Sequence, residues 1–199
     1  SMVSKLKKDE YNDTLGFIEY DLEKARELLD DAGWVDTDGD GLRDKTIDGK
    51  SVPFSFDLNF MGGNQTTENT CLLIQESLSK IGIECKLNSM DFSAFYQTAY
   101  KQDFDALMGA WSESAGYTDP VQLWHTDSWK NKGANFCGFG NDYSDSLITT
   151  YNATMDKAKR DELLKALQAE VYNYQPYVFL HSNHRKVAIH KKFLNRNLY

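Results

Sequence analysis

Val52-Pro-Phe-Ser-Phe-Asp-Leu-Asn-Phe60 is the most regular stretch of the chain. Val52, Phe54, Phe56, Leu58 and Phe60 alternate with polar or small residues, the period of a strand with one buried face. Met61-Gly-Gly-Asn64 breaks it. From about Thr66 to Lys80 an amphipathic helix follows, with Leu72, Leu73, Gln75, Leu78 and Ile81, stopped at Gly82. Ile83, Cys85 and Leu87 alternate again and predict a second strand. Asp91-Phe-Ser93 opens a short helix with Phe92, Phe95, Tyr96 and Ala99 on one side. Phe104 to Trp111 is a continuous apolar run, which predicts a strand buried on both faces. The order β-α-β-α-β argues for an α/β sheet with helices packed on it.

Residues 1–15 are polar and lack a period, so they read as a tail or linker, and Ser1-Met2 reads as a tag remnant. Asp21 then starts a helix through Leu22, Ala25, Leu28, Leu29 and Ala32, with Gly33 as its stop. On the other side, Ser112 to Tyr143 is loop-like, with one short helical turn expected from Asp119-Pro120 to Trp124. Two helices are predicted near Ser144–Asn152 and Asp156–Tyr174, ended by Gln175-Pro176. Tyr177 to Leu180 and Val187 to Ile189 read as final strands.

Composition excludes several classes. With 41% hydrophobic residues the chain can bury a core. No apolar run is long enough to span a membrane, and no leader-like stretch opens the sequence. The net charge of −8 argues against a nucleic-acid footprint, which needs clustered Lys and Arg. Cys71, Cys85 and Cys137 show no metal or redox spacing. They read as small buried hydrophobes, with a Cys71–Cys85 disulfide left open.

Asp36-Thr-Asp-Gly-Asp-Gly-Leu-Arg-Asp44 is the sharpest local motif. Asp36, Asp38, Asp40 and Asp44 occupy positions 1, 3, 5 and 9 of an EF-hand-like register, with Gly41 at the sixth and the Leu42 carbonyl at the seventh. Calcium is the cofactor such an oxygen array invites, although none is required. Ile47 stands where the bidentate Glu belongs. The competing reading is an Asp/Gly turn whose side chains bond their own backbone. Catalytic signals are poor: no GxSxG, HExxH or phosphate loop is present, and Cys137 with His125 lacks a third member. The chain is therefore read as a non-enzyme. The aromatics concentrate instead between Trp111 and Phe139, where Tyr117, Trp124, Trp129 and Phe136 alternate with Ser112, Glu113, Asp119 and Asn135. Such a loop after a buried strand suits a small-molecule cleft. Trp124 and Phe139 are the ones expected to be core.

Several segments together resemble one family: Tyr20 to Trp34 with the acidic loop after it, Ile74 to Ile83, Asp103 to Trp111, then Asp119-Pro120 with Leu123-Trp124, and Gln175 to Leu180. They are similar to the extracellular solute-binding proteins of the peptide, dipeptide and nickel class, family 5, which serve ATP-binding cassette importers. The resemblance covers residues 18–193. It implies a type II periplasmic-binding-protein fold, one lobe with a mixed sheet and helices on both faces, with residues 16–199 as the C-terminal lobe of a bilobal protein. It implies a monomer in the periplasm or anchored outside the membrane, a transmembrane permease as partner, and a small solute, by default an oligopeptide. On that resemblance Trp111, Glu113, Ser114, Tyr117 and Asp119 are expected to wall the cleft. Peptide-binding relatives place an Asp three residues after the cleft Trp. Here Ser114 stands there, so Glu113 or Asp119 is the candidate to meet a ligand ammonium. The family also carries sugars, nickel complexes and haem. Two rivals remain from the residues alone: a calcium-stabilised extracellular interaction module, and a small hydrolase using His125 and Cys137.

Overall fold

The alternating stretch folds as two strands rather than one. The computed structural model describes residues 1–112, 118–182 and 192. After the first helix, α1 (Leu22–Asp31), the strands β1 (Asp44–Ile47) and β2 (Lys50–Pro53) pair antiparallel as a hairpin. Its turn, Asp48-Gly49, has φ of 51° and 77°, the left-handed pair that an Asp-Gly turn supplies. The next strand, β3 (Ser55–Met61), belongs to a different sheet. Phe54 is where the chain changes partners: its N–H donates to the Arg43 carbonyl at 2.7 Å, while its carbonyl accepts from Glu84 N–H at 2.9 Å.

β3 is the centre of a three-stranded parallel sheet, flanked by β4 (Glu84–Met90) and β5 (Ala106–Met108). The helix α2 (Gln65–Ser79) links β3 to β4, and α3 (Phe92–Lys101) links β4 to β5. The two crossovers run in opposite directions across β3, so right-handed connections place their helices on opposite faces. The register agrees. Phe56, Leu58 and Phe60 align with Cys85, Leu87, Ala106 and Met108 on one face. There they pack with Cys71, Ile74 and Leu78 of α2. The alternate residue Asn59 is buried on the other face and accepts from Asn88 Nδ2 at 2.7 Å. Phe95 and Ala99 are the buried residues of α3.

Helix starts follow the predicted chemistry. Asp21, Asn64, Asp91 and Asp156 each accept a backbone N–H from the first turn of the helix they precede. The short helices α4 (Val121–Trp124) and α5 (Thr126–Lys130) lead into α6 (Asp142–Ala153) and α7 (Lys157–Tyr174). Asn141 and Ser144 form a reciprocal capping box at the start of α6. Trp124, Phe139, Leu147, Ile148, Tyr151, Leu164, Leu167 and Val171 make a second core, which also contains Val3.

Three expectations change. Residues 1–15, expected as a tail, are seated on α7. Val3 is buried, and the buried Gln168 amide donates to Glu10 O at 2.7 Å and accepts from Asn12 N–H at 3.1 Å. Nothing in the hydrophobic pattern announces this, because Val3, Met2 and Tyr11 show no period and Gln168 binds backbone groups. The Phe104–Trp111 run yields only the three half-buried residues of β5, which pairs with β3 alone among the described residues. Tyr177 to Leu180 joins no ladder among the described residues, and Val178 is 81% exposed. The other predicted final strand, 187–189, lies outside the described residues. No helix among the described residues is long and apolar enough to cross a membrane.

Candidate ligand-binding site

Beyond β5, Gly109 and Ala110 carry the chain off the sheet to Trp111. Ligands of open α/β sheets gather at this carboxyl end of the strands. The Trp111 side of the site is an exposed indole on a firm backing. Trp111 is 51% exposed and stacks on Phe136 at 5.7 Å and 29°. Phe136 is itself buried, and Tyr100 of α3 meets it edge-on at 5.3 Å. Rings spaced four residues apart on α3 continue the row, Tyr96–Tyr100 at 6.3 Å and Phe92–Tyr96 at 4.7 Å. Beside them lies a shallow depression of about 450 Å³ lined by Phe92, Ser93, Tyr96, Gln97, Tyr100 and Lys101. Aromatic faces held by other rings offer contact area at little cost in side-chain entropy.

Asp119 stands on the other stem of the same loop. It is exposed, and its Oδ1 accepts Val121 N–H at 3.0 Å, which starts α4. The three remaining cleft candidates, Glu113, Ser114 and Tyr117, lie outside the described residues. The backing role of Phe136 is not apparent in the sequence. Phe136 is one aromatic among many, and only the Phe92-Tyr96-Tyr100 spacing hints at a helix face turned toward it.

Other residues of the aromatic segment have structural duties. Trp124 and Phe139 are core, as expected, and meet edge-on at 5.5 Å. Asn135 is fully buried: its Nδ2 donates to Phe139 O at 2.7 Å and His125 O at 3.2 Å, and its Oδ1 accepts Phe139 N–H at 3.2 Å. It ties the loop to itself and has no face for a ligand. Burial pushes the Cys137 thiol up from its ordinary value, the opposite of what a nucleophile needs. His125 Nδ1 accepts Asp127 N–H at 3.1 Å, capping α5. The hydrolase pairing thus gains no support from geometry.

The acidic loop divides. Oxygens of Asp36, Asp38 and Asp40, all exposed, converge to within 4.8 Å of one another, and these three carboxylates are the ones able to hold a hard cation. They also bond the loop itself: Asp36 accepts Gly39 N–H at 2.7 Å and Gly41 N–H at 3.0 Å, and Asp40 accepts Leu42 N–H at 2.7 Å. Asp44, expected as the fourth ligand, points elsewhere. It is buried and accepts Thr37 N–H at 3.0 Å, Thr37 Oγ1 at 2.8 Å and Ser51 Oγ at 2.9 Å. The Thr37 amide above all, then the hydroxyls of Thr37 and Ser51, hold its carboxyl below the usual range. The reason is topological: Asp44 opens β1, so its side chain serves the hairpin base.

Known proteins share this fold. The family model of the bacterial extracellular solute-binding proteins, family 5 (middle), matches residues 2–134, and the chain belongs to that family. It is 34% identical over 173 residues to the oligopeptide-binding protein AppA of Bacillus subtilis, covering 86% of this chain and 31% of AppA. The solved structure of AppA in complex with a nonapeptide aligns with a TM-score of 0.76 at 33% identity, over 84% of this chain and 33% of that one. The oligopeptide-binding protein of Thermus thermophilus, complexed with a pentapeptide, aligns with a TM-score of 0.73 at 26% identity, over 84% and 30%. The chain thus spans about a third of the length of these relatives. The fold is that of type II periplasmic binding proteins, here as part of the whole.

Proposed function

We propose that this chain is the ligand-capture lobe of a bilobal solute-binding protein that delivers peptides to the permease of an ATP-binding cassette importer. The lobe closes with the rest of the protein around the ligand, outside the cytoplasmic membrane, and no bond is made or broken. The observation that carries this reading is the half-exposed Trp111 lying on the buried Phe136 at the carboxyl end of the sheet. A ring so backed serves no core and suits a ligand backbone or side chain. The 34% identity to an oligopeptide-binding protein, and the nonapeptide in the AppA structure, support a peptide as the solute. Asp119 supplies the negative charge that a peptide's ammonium end requires.

The test uses the full-length protein and a randomised nonapeptide pool carrying a carboxyl-terminal fluorophore. Trp111→Ala is expected to weaken binding at least about tenfold with little change in Tm, since the side chain is only half buried. The isolated 199-residue chain should bind far more weakly than the full-length protein, because it spans only about a third of the relatives' length and the facing lobe is missing. Equal affinity of the two would overturn the two-lobe reading.

A further inference from the structure

Thr118, the first described residue after the cleft loop, is held from three directions. Its hydroxyl accepts from Lys7 Nζ at 2.6 Å and donates to Glu10 Oε2 at 3.0 Å. Lys7 and Glu10 lie 3.6 Å apart and are 13% and 23% exposed, so the hydroxyl bridges a largely buried ion pair. Its carbonyl accepts from Tyr151 OH at 2.9 Å, and that hydroxyl accepts from Arg160 Nη2 at 3.1 Å. Two residues on, Pro120 is fully buried. Asp119 is therefore an exposed carboxylate on a peptide pinned at both ends.

We infer that Thr118 is a positioning residue for ligand capture: the pair Lys7–Glu10 and the Tyr151 hydroxyl fix it, and it fixes Asp119. The inference rests on the reading of Trp111 and Asp119 as cleft wall. Its physical content is preorganisation. A carboxylate on a free loop must give up backbone freedom when it meets a cation, whereas one already pinned gives up little. The anchor is not local. Glu10 belongs to the segment bound to α7 through Gln168, so the residues expected as a tail reach the ligand site by way of one hydroxyl.

The experiment measures binding of the same nonapeptide pool to the full-length protein. Thr118→Val removes the bridging hydroxyl at constant shape and is expected to weaken binding about tenfold. Thr118→Ser keeps the hydroxyl and should stay within about twofold of wild type. In an Asp119→Asn background, Thr118→Val should cost nothing further, because the group it positions has lost its charge. A merely structural role would lower Tm in Thr118→Val without that coupling. Wild-type affinity in Thr118→Val, or an equal loss with and without Asp119, overturns the inference. If Thr118→Val does not fold, Lys7→Met and Tyr151→Phe each delete one bond to Thr118 and carry the same comparison. Trp111→Ala separates the two levels. Unchanged binding in that variant, or no binding of the pool by wild type, removes the cleft reading and the inference with it. Loss in Trp111→Ala with full affinity in Thr118→Val removes the inference alone.

Discussion

The chain holds two apolar cores, and they are built by different means. Under the sheet, the buried members are few: Leu58, Phe60, Cys71 and Cys85, ordered by strand register and one helix. Among α4, α6 and α7 the core is larger, with Trp124, Phe139 and a run of aliphatics, and it recruits Val3 from the start of the chain. The first core is local in sequence and legible from periodicity. The second is stitched from distant pieces, above all by the buried Gln168 amide, while Asn135 fastens its own loop. The proposed ligand wall belongs to neither alone. Trp111 leaves the sheet, Phe136 and Asp119 come from the loops of the helical half, and the two halves meet where the indole stacks.

The comparison can be broken first in the helical core. Phe139→Ala removes a buried ring that meets Trp124 and Tyr174, and should cost about 4 kcal/mol in urea unfolding. Leu58→Ala, in the smaller core, should cost about 3 kcal/mol. Both variants are expected to move the circular dichroism and tryptophan fluorescence transitions together. Transitions that separate would show that the cores melt independently. Next in size, Gln168→Leu leaves the Asn12 amide and the Glu10 carbonyl without this partner and should cost about 2 kcal/mol. An unchanged midpoint would mean that Val3 and the contacts of Lys7, Asp9 and Glu10 suffice to seat the first segment.

The smallest effect is a pH dependence in the hairpin. Asp44 is held below the ordinary carboxyl range when folded, so its stabilisation is complete above about pH 4, the unfolded-state value. It is lost as pH falls through the lower folded value. Asp44→Asn should lower Tm at neutral pH and flatten the acid limb of the Tm profile. A limb that keeps its slope would place the acid sensitivity elsewhere.

Much of the sheet half could be read from residues. The helices that begin at Leu22, Gln65 and Phe92 start within a residue or two of where they were expected. What the alternation of Val52 to Phe60 could not reveal is that a strand period survives a change of partner: Pro53 lacks an N–H, and Phe54 hands the chain from hairpin to sheet. Asp48-Gly49 was the signal for that hairpin, hidden behind the more conspicuous acidic loop. At the proposed site, Trp111 could be picked out in the sequence as an aromatic after a strand, and the structure shows it half-exposed on Phe136. The bonds of Thr118 were not legible, because their partners Lys7 and Glu10 lie more than a hundred positions earlier. Asp44 misled because spacing says which carboxylates are near in sequence and nothing about which way the backbone turns them.

The partner change at Phe54 has a consequence for exchange with solvent. Arg43 donates to Gly82 O at 2.7 Å and accepts from Phe54, while Glu84 donates to Phe54. Gly82, with φ of 77°, permits that approach, since a Cβ there would meet Arg43 and the Gly41 carbonyl. Hairpin, acidic loop and parallel sheet are thereby bolted through consecutive peptides. The amides of Arg43, Phe54 and Glu84 should exchange hydrogen for deuterium as one slow set.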